Sequence, residues 1–106
     1  MFDFVTAMTA IKDQINNHVV KISPDAAASI HEDGVVILHT RRGRLFRSNR
    51  AGACIWCCIE QRLSLEGIAE KLTSEYQIAR TIAREHTARF LAELERNSLI
   101  ERRAES

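Results

Sequence analysis

No stretch of this chain approaches the ~20 consecutive apolar residues that a bilayer-spanning helix needs. The first residues carry Asp3 and no early basic cluster, so the start does not read as a secretory signal. Glycine is scarce and scattered: four residues, each isolated, leave no glycine-rich loop to cradle phosphates. Cysteines number three, an odd count that suits a reducing cytoplasm better than a secreted disulfide framework. A net charge of +1 gives no global drive toward nucleic acid or a membrane surface. Internal repeats and low-complexity tracts are absent. What remains is 106 residues, enough for one domain with a core but not for two. A hydrophobic fraction of 45% and a charged fraction of 27% place it among ordinary globular proteins.

Catalytic and metal chemistry find little support. Cys54-x-x-Cys57-Cys58 invites a metal or redox reading, since all three thiols lie within one or two helical turns. A structural zinc site needs about four ligands in tetrahedral array. The sequence offers no second Cys-x-x-Cys and no His-x-x-x-His, and its histidines (His18, His31, His39 and His86) are scattered. Cys54 and Cys57 are expected on the exposed side of their helix, opposite Ile55 and Trp56, with Cys58 partly buried. No motif ties a histidine to a Ser, Cys or carboxylate partner. The expectation is therefore no catalytic residue, no metal, no cofactor and no enzyme activity.

Periodicity divides the chain. Residues 2–17 carry Phe4, Met8, Ile11 and Ile15 at steps of four, three and four, which predicts an amphipathic helix. Its polar face lacks the Lys/Arg enrichment of membrane-surface helices. It is expected to pack on the domain or on a second copy of the chain, the latter giving a homodimer. Residues 1–18 thus form an extension and residues 19–103 the domain proper. Short strands follow: 19–22, ending at the turn Ser23-Pro24-Asp25; 27–31; 35–40, after Asp33-Gly34; and 44–48, after Arg41-Arg42-Gly43. Three helices come next: Arg50 to Glu60, a second from the N-cap Ser64 with Leu65, Ile68, Ala69, Leu72 and Tyr76 at helical spacing, and a third over about 79–97. Residues 101–106 read as a frayed tail. Sheet first and helices after make an α+β domain.

The junction Ser48-Asn49-Arg50-Ala51-Gly52-Ala53-Cys54-Ile55-Trp56 is the most specific segment. Asn49 is a good N-cap residue, and Gly52 lets a backbone or a ring come close. Trp56, the only tryptophan, is expected to anchor the core. With its flanks, this segment resembles the PqqD family of peptide-binding domains, also called RiPP recognition elements. The resemblance covers about 19–102 and includes Ile22-Ser23-Pro24-Asp25, the hairpin Val35-Val36-Ile37-Leu38 to Arg44-Leu45-Phe46, Ser64-Leu65-Glu66-Gly67-Ile68-Ala69, and Phe90-Leu91-Ala92-Glu93-Leu94 leading to Leu99-Ile100. Ser48 stands where the family usually has Leu. The family's turn glycine after the first helix is absent from Glu60-Gln61-Arg62, and its final Gly-Leu is Ser98-Leu99. These departures and the N-terminal extension separate the chain from the pyrroloquinoline quinone protein itself. The resemblance implies a winged-helix-like fold, a three-stranded antiparallel sheet against three helices.

It also implies a function: a non-catalytic domain that captures the leader of a ribosomally made precursor peptide and presents it to a modifying enzyme. Within the family that enzyme is a radical S-adenosylmethionine enzyme or a leader peptidase. Strand addition to the edge formed by Arg44, Leu45, Phe46, Arg47 and Ser48 would hold the peptide beside the third helix. Leu45 and Ile82 would give apolar contact, and Arg47, His86 and Arg89 polar contact. Five arginines, Arg41, Arg42, Arg44, Arg47 and Arg50, crowd this hairpin. They read as a solvated hairpin, as a rim that steers an acidic peptide, or as a nucleic-acid contact. The alternative function is a winged-helix DNA-binding regulator. Against it stand the near-neutral charge and a hairpin that precedes the helices rather than following them. A membrane partner is not expected.

Overall fold

The structure, a computed structural model, describes residues 18–104. The predicted helix over 2–17, with its stripe from Phe4 to Ile15, lies outside the described residues.

Strands β1 (His18–Ile22), β2 (Ala26–His31), β3 (Gly34–His39) and β4 (Arg44–Ser48) lead into helices α1 (Arg50–Glu60), α2 (Leu65–Tyr76) and α3 (Arg80–Arg96), and the chain closes with β5 (Ile100–Ala104). β2, β3 and β4 form an antiparallel sheet in that order, with β3 central. Gly34 tolerates no side chain, because a Cβ there would run into the Ser48 carbonyl oxygen. In β3, Val35 and Ile37 are buried against α1, and alternation turns Val36 and Leu38 to the other face.

Local chemistry sets the helix starts. The Asn49 side-chain oxygen accepts from the Gly52 N–H at 3.0 Å, and the Ser64 hydroxyl accepts from the Gly67 N–H at 3.0 Å. Ile55, Trp56, Ile59, Ile68, Leu72, Leu91 and Leu94 meet in one core. Trp56 is 1% exposed, and its indole N–H reaches Glu60 Oε2 at 3.0 Å, so the ring is buried with its one donor satisfied. The first two helices end where the sequence lacks the expected glycine or asparagine, on left-handed Arg62 (φ 64°) and Gln77 (φ 54°); Ser98 (φ 60°) does the same after α3.

Three expectations change. The tail is not frayed: Ile100–Ala104 pairs with β1 in register from Ile22↔Ile100 to His18↔Ala104. Left-handed Ser98 turns the chain back, the Ser23 N–H donates to the Leu99 carbonyl at 2.9 Å, and buried Ile100 anchors the strand. The strand before Pro24 therefore belongs to a separate two-stranded sheet. Tyr76 ends α2 40% exposed, beyond the last buried turn at Leu72. Cys54 and Cys57 are half-buried rather than exposed, because α2 packs along that side of α1.

Candidate peptide-binding edge

β4 is an edge strand, and its backbone polarity follows from two hydrogen bonds on its neighbour. The Thr40 N–H donates to the Asp25 carbonyl at 2.8 Å, so Thr40 faces β2. The His39 carbonyl accepts from the Gly43 N–H at 2.7 Å, so His39 faces β4. Strand backbones alternate, so Val35, Ile37 and His39 are the β3 residues whose backbone groups bond β4. Their partners are Ser48, Phe46 and Arg44. Leu45 and Arg47 therefore turn both N–H and C=O away from the sheet. These are two donors and two acceptors that no strand of the described residues meets.

Side chains alternate in the other sense. Phe46 and Ser48 lean toward the helices, while Leu45 and Arg47 stand on the helix-free face. The Phe46 ring meets Phe90 of α3 with centroids 5.9 Å apart. A Cβ on Gly52 would run into Ser48 Oγ and meet Phe90 Cε1 at 2.9 Å, so this glycine is what lets β4 and α3 close on α1. The two aromatic rings form the floor between strand and helix.

α3 presents two unlike flanks. Arg80 and Arg84 reach Glu66 of α2 at 3.0 and 2.9 Å. The Arg84 hydrogen bond, then that of Arg80, hold the Glu66 carboxyl below its ordinary value. This flank is committed to α2. Ile82, His86, Arg89 and Glu93 lie on the opposite flank, the side on which Phe90 reaches β4. All four are exposed, Ile82 by 44%. Among the described residues, no carboxylate lies within ion-pair distance of Arg44, Arg47 or Arg89, whereas Arg41 sits 3.9 Å from Asp25.

The structure thus groups the sequence-proposed residues in two places. Arg44, Phe46, Ser48, Ile82, His86 and Arg89 border the channel between β4 and α3. Leu45 and Arg47 contribute outward backbone groups to the same edge, but their side chains belong to the far face. Phe90 is a buried core residue of α3. Its second role at the channel floor is visible only once Phe46 is placed opposite it.

The thiols sit on the other side of α1. Burial raises the Cys54 and Cys57 thiols above their ordinary value and pushes Cys58 up to about 11. Among the described residues, no cluster of three metal-ligating side chains forms. No helix of the described residues is long and apolar enough to cross a membrane.

The sequence profile of coenzyme PQQ synthesis protein D matches residues 34–100, from β3 through the start of β5. The chain belongs to the PqqD family. Two solved structures share its fold. One is TbiB1 in complex with the TbiA(beta) leader peptide: TM-score 0.71, 30% identity, 76% of this chain and 94% of that one covered. The other is lasso peptide synthetase B1 complexed with the leader peptide: TM-score 0.71, 27% identity, 77% and 96% covered. Among curated proteins, none matches the chain. The match with the PqqD family spans β4, all three helices and the channel between β4 and α3.

Proposed function

We propose that this protein is a non-catalytic leader-peptide-binding module of natural-product biosynthesis. It captures the leader of a ribosomally made precursor on the free edge of β4 and presents it to a modifying enzyme. One observation carries the reading. An unpaired strand edge, with outward groups at Leu45 and Arg47, borders an open helix flank in a chain that shares its fold with two proteins solved with leader peptides.

The leader enters as a fourth strand. Leu45 and Arg47 offer four backbone hydrogen bonds, each worth about 1 kcal/mol net. Micromolar affinity needs about 8 kcal/mol, before the cost of ordering the peptide. Side chains must supply the rest. Alternate leader residues point into the channel, where Phe46, Phe90 and Ile82 offer apolar surface and His86 and Arg89 offer polar ends. The other set faces outward beside Leu45 and Arg47. Unpaired Arg44, Arg47 and Arg89 favour acidic residues in the leader and speed its capture. Bound this way, the leader is fixed in register while the core peptide stays free for the enzyme, a radical S-adenosylmethionine enzyme or a leader peptidase.

The test is a pair of titrations at about 150 mM salt, where charges are screened beyond ~8 Å. One uses the leader of the cognate precursor peptide, the other a random DNA duplex. The expected result is a dissociation constant of about 1 µM or tighter for the leader and weak, salt-sensitive binding to the duplex. Tight sequence-specific duplex binding without leader binding contradicts the reading.

A further inference from the structure

β4 is one of two open edges. β2 lies at the other side of the same sheet, and no strand of the described residues pairs with it there. Its backbone polarity follows from the same alternation. The Thr40 N–H donates to the Asp25 carbonyl, so Asp25, Ala27 and Ser29 direct their backbone groups to β3. Ala28 and Ile30 therefore turn N–H and C=O outward. Ala26 turns its carbonyl outward as well, while its N–H donates to the Ser23 carbonyl at 3.0 Å.

The two edges differ in chemistry. Natural edge strands are guarded against self-pairing by charges, proline or a bulge. β4 carries Arg44 and Arg47, so two β4 edges brought together oppose like charges. Ala26-Ala27-Ala28-Ser29-Ile30 carries no charge and no proline. Every residue of β2 after Ala26 is exposed, because α1 packs over β3 and β4 instead. Ile30 stands on the helix side of the sheet, across from buried Val35, and is still 50% exposed. Alanine is a poor strand former, so this strand gains from a second neighbour. A foreign peptide finds no channel here: beyond Ala26 no side chain of β2 joins the core, and nothing matches the Phe46–Phe90 floor.

An identical edge fits it. Antiparallel pairing about a two-fold axis opposes outward residues to outward residues. With Ala28 opposite its own counterpart, the two Ala28 residues exchange both their bonds, and each Ile30 N–H meets the Ala26 carbonyl of the other copy. Ile30 then packs beside Ala26. This register sets Asp25, 3.9 Å from its own Arg41, opposite His31, and Glu32 opposite Pro24. Centring the pair on Ser29 instead sets Asp25 opposite Asp33, like charge on like charge.

We infer that two copies of the chain join through their β2 edges, with Ala28 at the two-fold axis, into one continuous sheet of three strands from each. A β4 edge stays free at either end, so the dimer carries two peptide sites facing apart. The pairing does not depend on what β4 binds.

Sedimentation equilibrium of the full chain, with amide exchange resolved by residue, tests it without any leader peptide. Between about 1 µM and about 1 mM the protein should pass from monomer to dimer by mass action. The Ala28 and Ile30 amides should slow over the same range. Ala28→Pro removes an outward N–H and leaves the ladder to β3 whole. Ile30→Lys sets a charge at an exposed position of the edge. Each should weaken dimerisation at least about tenfold while the circular dichroism stays native. A monomer at every concentration, slow Ala28 and Ile30 amides in a monomer, or a dimer that both variants leave intact would overturn the inference.

Discussion

Trp56 is the largest fully buried side chain among the described residues. It is enclosed on all sides and its indole N–H is satisfied by Glu60. Trp56→Ala should cost about 3–5 kcal/mol, the range for deleting a large buried aromatic, out of the roughly 5–15 kcal/mol that hold a domain together. Urea denaturation reads this directly, and an unchanged midpoint would show a ring that does not anchor the core. Cys58 makes a second residue-scale claim. In the unfolded chain its thiol ionises near 9.0, while in the fold burial holds it protonated to about 11. The protection is whole below pH 9 and is lost as the pH rises through 11, because only the unfolded state gains from releasing the proton. Stability should fall across that window, and Cys58→Ala should flatten the fall. An identical pH slope in both proteins would contradict the assignment. At this scale the sequence was most legible where a side chain acts on its own backbone, as Asn49 and Ser64 do. It was least legible where backbone shape is imposed from outside. Arg62 and Ser98 adopt left-handed conformations better suited to glycine because the following segments are drawn back to the core at Leu65 and at Leu99–Ile100.

At the scale of elements, β4 decides the account. Its alternation makes two neighbouring prolines behave differently. Leu45→Pro removes an outward N–H that the sheet does not use and places a ring where an incoming strand would pair. Phe46→Pro removes a ladder bond to β3 and the ring that meets Phe90. The first protein should fold with a native circular dichroism spectrum and bind the leader at least about tenfold more weakly. The second should lose the hairpin. Equal binding by a folded Leu45→Pro protein would place the peptide elsewhere. The strands around β3 and all three helices were readable from period and turn chemistry. β5 was not: Ile100 is its one large apolar residue, and its strand state comes from pairing with β1 at the far end of the chain. The channel was legible in part. The sequence named both of its banks, but side-chain direction on β4 follows from register, which pattern alone leaves two-fold.

For the molecule as a whole, the central claim is that peptide capture completes the sheet. α2 holds one flank of α3 through Glu66, Arg80 and Arg84, and the other flank faces β4 across the Phe46–Phe90 contact. A preformed edge loses little conformational freedom on binding. Amide hydrogen exchange, resolved by residue with and without leader peptide, tests this most directly. In the free protein, the Phe46 and Ser48 amides should already be slow and those of Leu45 and Arg47 fast. On addition of leader, Leu45 and Arg47 should slow strongly while Phe46 and Ser48 change little. Protection confined to the α3 flank, with Leu45 and Arg47 still exchanging freely, would contradict strand addition at β4.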